Sequence, residues 1–185
     1  MCPAVAASAN QAATLSASPG SAPHYATRAW AHCTVTGGTP ALTAAGNIGS
    51  IVADRALGLK MKVVAYDPFL SPERAVQIGV EKVELEDLLA RADVISLHVP
   101  MTDKTKNILS RENLAKTKKG VIIVNAARGG LVDEVALREA LESEHVAAAA
   151  FDVFTVEPAK ENVLFGAPNF IATPHLGAST NEAQE

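Results

Sequence analysis

From residue 46 onward the apolar positions alternate between helical and strand periods, and the alternation is regular enough to predict a layered fold. Ile48, Ile51, Val52 and Leu57 recur at helical spacing and predict a helix over residues 46–59 with those side chains on roughly one face, ending near Gly58. The run KVVAY at residues 62–66 is short and β-branched, and Asp67-Pro68 breaks it. Ser71 followed by Pro72 signals the next helix start. A brief strand at 80–83, a helix at 84–92 and the strand VISL at 94–97 follow. Ser110 is a capping residue for a helix that should stop by Gly120. VIIV at 121–124 is apolar throughout, as in strands buried on both faces of a parallel sheet. A helix over 133–143 and strands at 147–151 and 170–172 complete the series. The strand at 147–150 runs against propensity, because its four alanines favour helix. The expected fold class is α/β, a doubly wound parallel sheet of the Rossmann type.

Residues 1–45 break this pattern. They are rich in Ala, Ser, Thr and Pro, contain Arg28 as their one cation and hold no acidic residue. Such a stretch reads as a low-complexity segment without its own order. A transit peptide would carry more arginine, a linker is an alternative, and a misread frame fits the composition best. The expected division is therefore 1–45, low-complexity, and 46–185, the folded domain, with TPALT at 39–43 a degenerate first strand. Its proline and small side chains suit a central strand poorly.

Charge and cysteine content narrow the function classes. A formal net charge of -4 argues against nucleic-acid or anionic membrane partners, which select clustered Lys and Arg. No apolar run approaches the roughly 20 residues of a bilayer span. Cys2 and Cys33 suggest neither a disulfide framework nor a metal site, in keeping with a cytoplasmic setting.

Ligands of such sheets bind at the carboxyl ends of the strands, so the residues there carry the functional reading. Ala44-Ala45-Gly46-Asn47-Ile48-Gly49 resembles a dinucleotide fingerprint whose first glycine is alanine. Gly46 lets a pyrophosphate approach the backbone, Gly49 lets the helix pack against the sheet, and the helix N-terminus offers amides. Asp67 ends the next strand about 20 residues on, where an acid meets the ribose hydroxyls and repels a 2′-phosphate, favouring NAD. Ala44 stands where the turn often needs glycine, which predicts weakened binding.

These strand ends lie within longer stretches: AYDPFLSPE from Ala65, ISLHVPMTDKTKNIL from Ile95, KKGVIIVNAARGGLVDEVAL from Lys118, FDVFTVEP from Phe151 and PHLGAST from Pro174. In this order they resemble the NAD-binding domain of the D-2-hydroxyacid dehydrogenases along residues 46–185. YDP, LSPE and GAST resemble the branch acting on 3-phosphoglycerate more than the formate, lactate or glyoxylate branches. The resemblance implies hydride transfer between NAD and a D-2-hydroxy acid, with His175 as acid–base group, Glu157 orienting its imidazole, and Arg128 gripping the substrate carboxylate. Histidine titrates near neutrality and arginine presents a planar fork, as those roles require. It also implies cofactor contacts from Asn47 and Ile48 at the pyrophosphate and from His98, Val99 and Pro100 near the adenosine. Ala126, Ala127 and Arg128 would lie around the nicotinamide, Asp152 at its carboxamide, and His175, Leu176, Gly177 and Ala178 beside ring and substrate. Taken singly, His175 could cap a loop, Glu157 could be solvated, Arg128 could pair with Asp133, and Asp152 could cap a turn.

Members of the family carry a separate substrate domain ahead of this one. Its place here holds the low-complexity segment, and the sequence stops where a returning helix should begin. The expectation is a C-terminally truncated NAD-binding domain with impaired turnover, capable of homodimer contacts. The alternatives are a non-catalytic NAD(H)-binding sensor of the same fold, as among corepressors, and another member such as a glyoxylate or hydroxypyruvate reductase.

Overall fold

The computed structural model describes residues 38–179, so Cys2, Cys33 and most of the segment read as low-complexity lie outside the described residues. The segments read as strands form strands. They are β1 (Pro40–Thr43), β2 (Val64–Ala65), β3 (Glu81–Lys82), β4 (Val94–Leu97), β5 (Val121–Asn125), β6 (Val146–Phe151) and β7 (Phe170–Ala172). Between them run α1 (Asn47–Gly58), α2 (Pro72–Gln77), α3 (Leu85–Arg91), α4 (Arg111–Ala115) and α5 (Glu134–Glu142), and a 3-10 turn, Leu176–Ala178, follows β7. The strands form one seven-stranded sheet in the order β3-β2-β1-β4-β5-β6-β7, parallel at every pairing. No helix among the described residues is long and apolar enough to cross a membrane.

The chain winds outward from β1 in two directions, which puts helices on both faces. α1 and α2 pack Ala53, Ala56 and Ala75 over Leu42, Val63 and Ala65 on one side. Leu88, Leu89, Leu114, Leu137 and Leu141 of α3, α4 and α5 cover Ala41, Ile95, Ile123 and Ala149 on the other. The order reverses between β1 and β4, so the crevice at their carboxyl ends is the topological switch point where such sheets take ligands.

The sheet reaches back to Pro40, ahead of the compositional break at Gly46. β1 is central and fully buried despite its proline. Pro40 stands at the first strand position, where a missing N–H does the least damage to the ladder. Asp93 anchors the strand from outside, its carboxylate accepting from the Thr39 amide at 2.8 Å and its own amide donating to the Thr39 carbonyl at 3.0 Å. The apolar face read for α1 divides in the structure, with Val52 and Leu57 packed against the core. Ile48 and Ile51 are 68% and 58% exposed, and the buried residues are Gly49, Ala53 and Ala56. Small residues bring the helix axis close to the sheet, and the larger ones are pushed outward. The four alanines are strand, as read. β6 is held between β5 and β7, and pairing on both sides overrides a propensity difference of under about 1 kcal/mol per residue. α4 ends at Ala115, short of the expected Gly120.

Candidate active site

Because every strand is parallel, the carboxyl ends of β1, β2, β4, β5, β6 and β7 share one edge, and the site residues read from the sequence follow them. Two groups form there.

The first surrounds the start of α1. Gly46 caps the helix without any side-chain hydrogen bond, and a Cβ added to it would meet nothing within 4 Å. Asn47 and Ile48 are exposed beside it. The first-turn amides therefore face open space, as a pyrophosphate requires. A Cβ on Gly49 would lie 2.1 Å from the Ala44 carbonyl oxygen, so only glycine fits between helix and strand end. Ala44 bends the chain at φ 122°, a region L-residues adopt at a cost. Asp67 braces that bend. One of its oxygens accepts from the Ala45 amide at 3.1 Å and the other from the Phe69 amide at 2.8 Å. Each carboxylate oxygen retains a lone pair for a ribose hydroxyl. The His98 amide donates to the Thr43 hydroxyl at 3.2 Å, tying β4 to β1, and its imidazole meets Ser96 at 2.9 Å. Burial pushes the His98 imidazole pKa down, favouring the neutral ring. Val99 is packed in the core, leaving only its backbone for a ligand, whereas Pro100 is exposed. An open glycine, uncapped amides and a carboxylate with free lone pairs at the next strand end fit a dinucleotide.

The second group is built from side chains. His175 Nδ1 and Glu157 Oε2 lie 2.7 Å apart, and Glu157 Oε1 accepts from the Phe154 amide at 3.0 Å. The hydrogen bond from His175, seconded by that amide, holds the Glu157 carboxyl below its ordinary pKa. His175 sits at φ 54° on the left-handed side. Asp152 secures this conformation. Its carbonyl accepts from the His175 amide at 2.9 Å, and its carboxylate takes the Leu176 amide at 2.7 Å, the Gly177 amide at 3.0 Å and the Thr173 hydroxyl. Burial raises the Asp152 pKa, but the Thr173 hydroxyl and the two amides outweigh it and leave the carboxyl below its ordinary range. Asp152 thus caps the turn after β7.

Arg128 follows β5 in an exposed loop with Ala126 and Ala127, its guanidinium donating to the Ala127 carbonyl at 2.6 Å. It does not pair with Asp133, which caps α5 by accepting from the Ala136 amide at 3.0 Å. Asn125, which pattern reading passed over, shapes this loop from a buried position. Its side chain accepts from the Ala127 amide at 3.2 Å and donates to the Arg128 carbonyl at 3.0 Å. A polar residue closing an apolar strand was the available signal. Gly129 is a second silent contributor, since a Cβ there would fall 1.9 Å from the Phe154 carbonyl oxygen. The Arg128 loop and the turn holding Glu157 therefore touch through bare backbone.

The chain is similar to known proteins of one family. The family model described as D-isomer specific 2-hydroxyacid dehydrogenase, NAD binding domain, matches residues 14–177. D-3-phosphoglycerate dehydrogenase of Mycobacterium tuberculosis is 54% identical over 151 residues, covering 82% of this chain and 29% of the relative. Hydroxypyruvate reductase of Thermotoga maritima is 52% identical over 151 residues, 80% of this chain and 48% of the relative. The crystal structure of D-lactate dehydrogenase with NAD+ from Lactobacillus jensenii superposes with a TM-score of 0.71 at 36% identity, over 79% of this chain and 48% of that one. The chain thus spans from under a third to about half of the length of these relatives.

Proposed function

Starting from a chain that belongs to the D-isomer specific 2-hydroxyacid dehydrogenases through their NAD-binding domain, we propose that it serves the oxidation of a D-2-hydroxy acid to the 2-keto acid, with 3-phosphoglycerate as the substrate. The observation that carries this reading is the 2.7 Å contact between His175 Nδ1 and Glu157. With Nδ1 engaged by a carboxylate, Nε2 is the ring nitrogen left to take the substrate hydroxyl proton, and to return it in the reverse direction. Arg128 binds the substrate carboxylate through its fork. Gly46, Asn47 and Ile48 hold the pyrophosphate of NAD, Asp67 its ribose, and the loops at 98–100, 126–128 and 175–178 flank its remaining length. When bound, NAD supplies the acceptor for the hydride leaving the substrate carbon. Asp152 acts here on the loop that carries His175, which its observed hydrogen bonds support better than a contact with the carboxamide.

Relatives named for 3-phosphoglycerate and for hydroxypyruvate match at similar identity, so hydroxypyruvate reduction is the second reading. A homodimer through this domain and a cytoplasmic setting belong to the proposal as family expectations. Calorimetry with NADH, followed by turnover of phosphohydroxypyruvate and hydroxypyruvate, tests it. Saturable binding with His175-dependent reduction of the phosphorylated keto acid is expected. Binding without turnover on either substrate favours the sensor module, and no binding removes both readings.

A further inference from the structure

The chemistry proposed above leaves out one acidic side chain that touches the same loops. Glu134 opens α5, directly after the loop that carries Arg128, and its side chain reaches across to the segment around Glu157. Glu134 Oε1 accepts from the Thr155 hydroxyl at 3.0 Å and the Thr155 amide at 3.3 Å. Its other oxygen accepts from the Asn162 side-chain amide at 2.8 Å. These three donors flank Glu157 on both sides in sequence. The Phe154 carbonyl rests where a Gly129 Cβ would be, so the same turn meets both the Arg128 loop and Glu134. Glu157 is exposed, and its own turn contributes a single hydrogen bond, from the Phe154 amide, to fix its carboxylate. A carboxylate accepting several donors is an effective clasp, because charge-assisted hydrogen bonds are about twice as strong as neutral ones.

We propose that Glu134 is a positioning residue for proton transfer. By holding Thr155 and Asn162 it fixes the turn from which Glu157 addresses His175, and it joins that turn to the loop bearing Arg128. The inference rests on the reading of Glu157 and His175 as the proton-transfer pair. Glutamine at 134 keeps the size of the side chain but presents an amide donor to the Asn162 donor, so the clasp opens on one side.

The test is NMR of the full chain, following the His175 Nδ1–H resonance and hydrogen exchange of the Phe154 amide, with thermal unfolding alongside. In the unsubstituted protein a low-field Nδ1–H signal is expected, and Glu157→Gln should abolish it. Glu134→Gln should broaden or lose that signal and speed exchange at Phe154 by on the order of tenfold, with Tm little changed. If both readouts stay as in the unsubstituted protein while Glu157→Gln removes the signal, the positioning role is overturned and the pair stands. If the signal is missing at the outset, or Glu157→Gln leaves it intact, the pair itself is overturned. Should Glu134→Gln fail to fold, Thr155→Val removes one hydroxyl donor from the clasp and is judged on the same two readouts.

Discussion

The two ends of this binding edge are built on opposite plans. Around the start of α1 the chain offers bare backbone: an open glycine, uncapped amides, and a turn at Ala44 that only Asp67 braces. At the ends of β6 and β7 it offers interlocked side chains, with Asp152, Thr173, Glu157, Glu134 and His175 each engaged by a named partner. The difference suits what the proposed function asks of each end. A phosphate is bound by dipoles that need space in front of them, and a proton-transfer pair needs rotamers locked before the substrate arrives.

Substitutions break or sharpen this contrast. The largest effects should come from the two glycines that meet backbone. Gly49→Ala and Gly129→Ala each force a Cβ into a carbonyl oxygen, and each should cost about 3 kcal/mol or more in urea unfolding. They part company in function: Gly49→Ala should also remove NADH binding, and Gly129→Ala should spare NADH while disturbing the His175 resonance. Equal loss of NADH affinity in both would dissolve the distinction.

Next in size, Asp152→Ala strands the Leu176 and Gly177 amides and the Thr173 hydroxyl, at about 2 kcal/mol. The pH dependence has a definite sign. Asp152 and Glu157 titrate lower folded than unfolded, so their stabilisation is present above the ordinary carboxylate range and is lost as pH falls through the depressed values. Unfolding followed from pH 7 to pH 2 should show this acid loss, and Asp152→Asn should flatten it. An unchanged acid limb would mean that the carboxylate hydrogen bonds do not persist in solution.

Ala44→Gly should raise stability by about 1 kcal/mol, or roughly 2–4 °C in Tm, by relieving the φ of 122°. It should tighten NADH binding, whereas a looser complex would show that the alanine contributes to the site. Smallest in stability is Gly46→Ala, within about 0.5 kcal/mol because its Cβ meets nothing. Its effect should fall on NADH affinity, measured by calorimetry, and an unaltered affinity would place the pyrophosphate elsewhere.

The sequence made one of these ends more legible than the other. Helix starts at Ser71 and Ser110 were readable because a capping side chain acts within its own turn, and each accepts an amide of its first turn; Asp133 does the same for α5 without having been singled out. That His175, Glu157 and Asp152 follow strands was readable from their order, and the structure brings the three together. What pattern could not supply was decided across the fold. The inner face of α1 is set by how closely Gly49 lets it approach the sheet, so larger apolar side chains ended outside. Asn125 and Glu134 act on loops rather than ligands, and neither hydrophobic period nor charge marks such work. The first strand, read as degenerate at 39–43, forms at Pro40–Thr43, because a strand of four residues held by both neighbours tolerates a poor sequence.

The contacts of the two ends also differ in how much chain each must close. His175 meets Glu157 18 residues away, Leu176 meets Asp152 at 24, and Glu134 meets Thr155 at 21. At the other end Asp67 meets the Ala45 amide 22 residues back, and Thr43 must also find His98, 55 residues on. Closing the longer loop costs about 1 kcal/mol more than the shortest, and such pairings form later along a folding route. The end built on β6 and β7 thus closes over short spans alone, whereas the start of α1 adds one long pairing to its short one.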